Sequence, residues 1–109
     1  MSMKVVVKKV GKEPEIKKIQ GTVREFQEMV GGNFKCFVVL DNIICVCNEE
    51  GKYLGLTPNF VYNGDVIAGD IFFCADGKDD FESLSEEQTG VIMSIMHMLH
   101  ALEIKKLEY

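Results

Sequence analysis

The periods of hydrophobic and polar positions along the chain predict the order of its secondary structure. Residues 4–10 and 15–19 are rich in β-branched side chains interspersed with lysine, which is typical of strands. The segment GKEP between them contains a glycine and a proline that favour a turn. The chain is therefore expected to open with a β-hairpin.

A short helix is predicted next, in the segment GTVREFQEMVGG. Apolar residues recur at helical spacing from Val23 to Val30, and two glycines follow as a stop signal. Thr22 is suited to the N-cap position because Glu25 lies three residues later, as in a capping box. These signals place the helix between residues 22 and 31.

The segment NFKCFVVLDNIICVCNEEGKYLGL predicts three successive strands, with a two-residue turn at Asp41–Asn42 and a second turn at Glu49–Glu50. Both faces of these strands are apolar, so we expect them to lie centrally in a sheet that is covered on both sides. The first turn sets a register whose facing pairs would be Leu40 with Ile43, Val38 with Cys45, and Cys36 with Cys47.

The last third of the chain predicts one more strand and a long helix. DVIAGDIFFCAD reads as a strand interrupted at Gly69, and Ser85 with Gln88 fits a capping box that begins a helix running to about Lys105. On a helical wheel, one set of apolar residues forms the expected contact with the sheet. These residues are Val91, Ile92, Ile95, Met98, Leu99 and Leu102.

Together these elements predict an α+β fold in a single domain spanning residues 1–109. The sheet is expected to be mainly antiparallel with about five or six strands, accompanied by one short helix and by a long C-terminal helix packed on the sheet. Hydrophobic residues make up 47% of the chain and charged residues 27%, which is typical of a globular protein rather than a disordered one.

The patterning predicts a cytoplasmic protein that does not span a membrane. The longest nearly uncharged apolar run, from Val91 to Leu102, is shorter than the roughly 20 residues that a span requires. The first residues lack the apolar core of a secretory signal. In a reducing compartment the four cysteines are expected to be free, and we expect them to be buried. They are Cys36, Cys45, Cys47 and Cys74.

Charge is distributed unevenly, because residues 1–24 carry seven Lys or Arg against two Glu while the whole chain has a net charge of −5. A basic surface on the N-terminal hairpin is one candidate site, although a solvated strand face is the favoured interpretation. An acidic chain argues against nucleic acid as the main partner. The candidate basic residues are Lys4, Lys8, Lys9, Lys12, Lys17 and Lys18.

No catalytic, cofactor-binding or metal-binding residue is predicted. The spacing of Cys45 and Cys47 on one strand does not resemble the C-x2-C turns of zinc sites. The acidic loop ADGKDDFE does not match a calcium-binding loop, so a solvated turn is the favoured interpretation.

The C-terminal helix carries a second stripe opposite the predicted sheet contact, with spacings of four, three and four residues. This heptad spacing predicts a homodimer in which the stripe meets its own copy across a two-fold axis, with an exposed ridge as the alternative. Metal binding by two histidines is disfavoured because they supply only two ligands. The candidate interface residues are Met93, His97, His100 and Ile104.

Several segments in a fixed order resemble a family of small bacterial and phage proteins, domain of unknown function 3846. The resemblance covers about residues 3–88 and leaves the C-terminal helix outside. It implies a bacterial or mobile-element setting but brings no activity, cofactor or catalytic residue. The segments are the opening MKVVVKKVGKEPEIKKIQGT, Gly31–Gly32, NEEGK at 48–52, Gly55–Leu56, Pro58–Asn59, Gly64–Asp65 and IAGDIFF at 67–73.

The sequence therefore favours a non-enzymatic interaction or regulatory module that associates with itself, with a protein partner of unknown identity. A nucleic-acid-associated accessory protein, acting through the N-terminal lysines, is the alternative. An enzyme of unrecognised type is the third hypothesis.

Overall fold

A computed structural model describes residues 2–107 of the chain, and the side chains of residues 2–103. It confirms the α+β fold, with a six-stranded antiparallel sheet, a short helix and a long C-terminal helix. The elements are β1 (Met3–Lys8), β2 (Glu15–Ile19), α1 (Val23–Val30), β3 (Phe34–Leu40), β4 (Ile43–Asn48), β5 (Pro58–Tyr62), β6 (Asp65–Ala68), β7 (Ile71–Asp76), β8 (Phe81–Glu82) and α2 (Glu86–Leu107).

The main sheet has the order β2-β1-β7-β4-β3, and the two-residue strand β8 pairs with β7. Its centre joins distant parts of the chain, because Val6 of β1 lies opposite Phe73 of β7. Strands β5 and β6 form a separate two-stranded sheet. The N-terminal hairpin is therefore one side of the main sheet, and the β3–β4 hairpin is the other.

Two hydrophobic clusters cover the two faces of the main sheet. On one face, Phe26 and Val30 of α1 pack with Phe72, while on the other Ile92 and Met96 of α2 pack with Phe73. All six residues of β4 are buried, which confirms that a strand with two apolar faces lies between two layers. Strand β3, which the sequence predicts to be equally central, is instead an edge strand with four exposed residues.

The predicted register of the β3–β4 hairpin is wrong beyond its turn. The turn at Asp41–Asn42 is present, with positive φ at both residues, and Leu40 does lie opposite Ile43. A β-bulge at Val39 then shifts the register by one residue, which exchanges the faces of the side chains that follow. The observed pairs are Val38 with Ile44, Phe37 with Cys45, Cys36 with Val46 and Lys35 with Cys47.

Two further strand predictions are corrected. The expected third strand of the meander is absent, because residues 49–55 form successive turns in which Gly51 approaches Ala68 too closely to accommodate a side chain. The segment DVIAGDIFFCAD forms two strands in different sheets rather than one. Gly69, with φ of +86°, makes the break between β6 and β7.

Local end signals predicted both helices well. Thr22 Oγ1 accepts a hydrogen bond from Glu25 N at 3.1 Å, and α1 ends at Gly31 in the left-handed conformation. At the start of α2, Ser85 Oγ accepts from Gln88 N while Gln88 Oε1 accepts from Ser85 N. These reciprocal bonds form the predicted capping box.

The buried face of α2 is rotated about a quarter of a turn from the predicted one. Thr89, Ile92, Met96 and His100 are buried, whereas Val91, Met98 and Leu102 are exposed. Apolar residues surround most of this helix, so their pattern alone does not distinguish the face that meets the sheet. Among residues 2–107, no helix is long and apolar enough to cross a membrane.

Candidate interaction surface

The two edges of the main sheet differ in the features that prevent strands from pairing with another molecule. Strand β2 is short, and Glu15, Lys17 and Lys18 place three charges within its five residues. Strand β3 has seven residues, of which Lys35 is the single charged one. Charges on a short edge strand oppose pairing with another strand, whereas a long apolar edge favours it. The β3 edge is therefore the unprotected edge of the sheet.

Side chains at this edge are exposed although they are apolar. Val38 is 54% exposed and Leu40 is 38% exposed, which is unusual for β-branched and aliphatic residues in a strand. Among the described residues, β4 is the only strand that pairs with β3. Tyr62 Oη donates weakly to the carbonyls of Val38 and Val39 at 3.4 and 3.3 Å. Tyr62 therefore covers the β3 edge only near the bulge at Val39.

The apolar surface continues from the β3 edge towards α2. A groove of about 280 Å³ connects Val39 and Leu40 with Val61 of β5 and Ile95 of α2. Val61 is 62% exposed, and Phe37 packs on Tyr62 with ring centroids 5.1 Å apart. The edge strand and the helix thus belong to one surface.

We call the exposed side of α2 the outer stripe, defined as Val91, Ile95, Met98 and Leu102. Ile95 is half-buried, while the other three are 38–57% exposed. These residues repeat with spacings of four, three and four, which is the heptad spacing of a helix that packs on another helix. The predicted dimer stripe of Met93, His97, His100 and Ile104 has the same heptad spacing, so the outer stripe is a second candidate for helix packing.

The four residues predicted as a dimer interface do not form a continuous exposed stripe. Met93 packs against the hydrophobic cluster that contains Ile92 and Phe73. His100 is buried within the protomer, with only 7% of its surface exposed. His97 is exposed, with Nδ1 at 3.3 Å from Glu13 Oε1 in the β1–β2 turn. The side chain of Ile104 lies outside the described residues. Dimerisation through α2 remains a prediction, but the exposed apolar residues lie on the outer stripe.

The six lysines of the predicted basic surface are divided between the faces of the N-terminal hairpin. In β2, Lys17 and Lys18 point to opposite faces because side chains alternate along a strand. Lys4 pairs with Lys18, while Lys9 and Lys12 lie beyond the end of β1. Lys8 is only 2% exposed. The structure therefore does not bring the six side chains together on one surface.

All four cysteines are free, but only three are buried, so the prediction for Cys36 is wrong. The bulge at Val39 and the edge position of β3 leave Cys36 exposed opposite Val46.

Burial is the main cause that raises the pKa of the Cys45 thiol, and burial also raises the pKa of the Cys74 thiol to about 12. A hydrogen bond from Cys45 lowers the pKa of Cys47, against the effect of burial.

We expect Ellman's reagent to label one thiol of the folded protein at about pH 8, and four after denaturation, because reaction requires an accessible thiolate. Partial burial and Asp76 raise the pKa of Cys36, so its labelling should be slower than that of a free cysteine. The matched control is Cys36→Ser, which should leave no rapidly labelled group. Rapid labelling of two or more thiols in the native parent would contradict this exposure pattern.

Within residues 2–103, no group of three or more His, Cys, Asp or Glu side chains is placed to hold a metal ion. The chemistry available on the surface described above is main-chain hydrogen bonding along β3 and apolar contact along α2, both of which suit binding of another polypeptide.

A family model described as "Domain of unknown function (DUF3846)" matches residues 3–100. No curated protein and no solved structure matches the chain. The matched range includes most of α2, so the C-terminal helix is part of the family pattern and does not lie outside it as the sequence resemblance suggested.

Proposed function

Because the chain belongs to DUF3846, a domain family of unknown function, we propose its role from its surfaces: a small non-enzymatic interaction module that associates with itself. The observation that supports this proposal is the unprotected edge strand β3, with a single charge in seven residues. A strand edge presents unpaired N–H and C=O groups, which another strand can satisfy.

A second copy of the chain is the partner that this surface fits. Antiparallel pairing of β3 with its own copy requires a two-fold axis normal to the sheet, and this axis keeps the α2 layer of both protomers on the same side. The outer stripe, joined to β3 through the groove at Val61, would then lie towards the partner's α2. A partner must therefore offer both a free strand edge and an apolar helix stripe, and this chain offers both.

The proposal is tested with Val38→Lys, which places a charge on the exposed face of β3 without removing a buried side chain. Like charges brought together at a two-fold interface oppose association. We expect the parent to be dimeric in multi-angle light scattering at about 100 μM, and the dimer dissociation constant of the variant to rise at least about tenfold. Met98→Glu should weaken the dimer in the same direction through the outer stripe.

Val23→Lys is the matched control, because Val23 is 60% exposed on α1, which covers the other face of the sheet. It should dimerise as the parent does. A parent that stays monomeric at about 100 μM would end the proposal. Equal weakening by Val23→Lys and Val38→Lys would also contradict it, because the effect would then come from net charge rather than from the β3 edge.

A further inference from the structure

A second cavity adjoins the groove beside β3 and lies between the C-terminal half of α2, the end of β1 and strand β5. Its volume is about 550 Å³, which is within the range of small-molecule sites. Phe60, Met96, Leu99 and Leu102 supply most of its apolar wall. Three polar side chains that are almost fully buried also line it: Lys8, Asn59 and His100. We call this cavity the α2–β5 cleft.

Asn59 is placed in the cleft by a β-bulge. The β5–β6 register shifts between Pro58 and Phe60, so Asn59 has no partner residue on β6. Its Nδ2 donates to the carbonyl oxygens of Lys8 and Gly69 at 2.8 and 2.9 Å. Two carbonyl acceptors fix the orientation of the amide, because only the NH₂ group can donate to both. Bulges re-aim side chains in this way beside binding sites.

This orientation leaves Asn59 Oδ1 as a buried acceptor. Asn59 is only 6% exposed, and no donor within the described part of the chain bonds Oδ1. His100 Nδ1, on the same cleft, is likewise buried without a partner among the described residues. Buried polar atoms are nearly always hydrogen-bonded, so two unpartnered atoms on residues that line one cavity point to a molecule that supplies the missing bonds.

Lys8 restricts the charge of that molecule. Its Nζ donates to the carbonyl of Lys9 at 2.9 Å. Burial lowers the pKa of Lys8, whereas the nearby carboxylates of Glu103 and Asp70 raise it. Lys8 and Glu103 both line the cleft, so one carboxylate offsets the one amine and no net charge favours an ionised ligand. The chemistry of the cleft therefore suits an uncharged ligand.

We infer that the α2–β5 cleft binds a small uncharged molecule with an apolar body and an N–H or O–H donor, such as an aliphatic amide or alcohol. The donor bonds Asn59 Oδ1, and the apolar body packs against Phe60, Leu99 and Leu102. His100 Nδ1 supplies a second polar contact. Leu102 belongs to both this site and the outer stripe, whereas the polar residues that carry the inference, Asn59 and His100, lie within one protomer and outside the outer stripe.

The donor requirement is tested with octanamide and N,N-dimethyloctanamide, which share an apolar chain but differ in N–H groups. Titration to about 5 mM, followed by backbone amide NMR shifts, covers weak binding. We expect octanamide to give saturable shifts at Asn59, Phe60 and Leu99. The dimethyl compound should bind at least about tenfold more weakly, because it leaves Asn59 Oδ1 unpartnered.

Leu102→Trp is designed to fill the cleft, and Met98→Trp is its matched control. Both parent residues are more than half exposed on α2, at 53% and 57%, but only Leu102 lines the cleft. Leu102→Trp should weaken octanamide binding at least about fivefold, and Met98→Trp should leave it unchanged. The inference is overturned by shifts that do not saturate, by equal affinity for both amides, or by unchanged binding in Leu102→Trp.

Discussion

Replacing Phe73 by alanine should lower the free energy of unfolding by about 3–5 kcal/mol, the range for removing a large aromatic side chain from a packed core. Phe73 is fully buried at the centre of the main sheet, between Val6 of β1 and Cys45 of β4. Its ring also lies 6.4 Å from that of Phe60, so it joins the two sheets. A domain of this size has about 5–15 kcal/mol of stability in total, so the variant should be marginally folded.

The measurement is urea unfolding followed by circular dichroism at one fixed protein concentration, since self-association would make stability concentration-dependent. Val23→Ala is a suitable control, because Val23 is an apolar residue of α1 that is 60% exposed and lies away from the β3 edge and the outer stripe. It should change the free energy by no more than about 0.5 kcal/mol. A loss below about 1.5 kcal/mol for Phe73→Ala would show that the neighbouring side chains close the cavity and that the cluster is not tightly packed.

Replacing Asn48 by alanine should destabilise the protein by about 2–4 kcal/mol, because it leaves two backbone groups without their partner. Asn48 Nδ2 donates to the carbonyl of Val30 at the end of α1, at 3.1 Å. Its Oδ1 accepts from Glu50 N at 2.8 Å. The side chain is only 4% exposed, so water cannot readily replace these bonds.

The matched control is Asn33→Ala, whose side chain has only a long exposed contact, 3.4 Å from Gln27 Nε2. Thermal unfolding of both variants should show a large decrease in Tm for Asn48→Ala and a change near zero for Asn33→Ala. Similar decreases for both would indicate that the general loss of an asparagine, rather than the bonds to Val30 and Glu50, causes the effect.

The parts of the fold that depend on neighbours in sequence were predictable. The N-cap at Thr22, the left-handed Gly31 and the capping box at Ser85 each involve residues within a few positions of one another. Their geometry is set by short-range hydrogen bonds, and the residue types that form them are few. The two helices follow from the same kind of local signal.

The parts that depend on distant residues were not predictable. The apolar positions of β3 suit a central strand as well as an edge strand, and only the pairing of β7 with β1 and β4 leaves β3 outside. No single residue marks the bulge at Val39, which reverses the faces of the residues that follow. In α2, burial of His100 and exposure of Met98 reverse what hydrophobicity alone would suggest.

The α2–β5 cleft was missed because its polar groups come from separate segments. The sequence places Lys8 in a predicted basic surface and His100 in a predicted dimer stripe, and Asn59 stands out only as part of the family resemblance. Their side chains line one cavity because the second sheet lies beside the end of β1 and beneath α2. Pro58, the first residue of β5, was the one local signal that could have suggested a bulge, because proline in a sheet is confined to edge strands, strand starts and bulges.

The central position of β7 also determines when the main sheet can assemble during synthesis. The β1–β2 and β3–β4 hairpins are local and can form as soon as they leave the ribosome. Each hairpin then has a strand, β1 or β4, whose other edge is filled only by β7. Until that late strand emerges, both hairpins expose an extra edge and neither hydrophobic cluster is closed. The nascent chain is therefore most vulnerable to aggregation just before Ile71–Asp76 becomes available, and a slow codon run placed there would lengthen that interval.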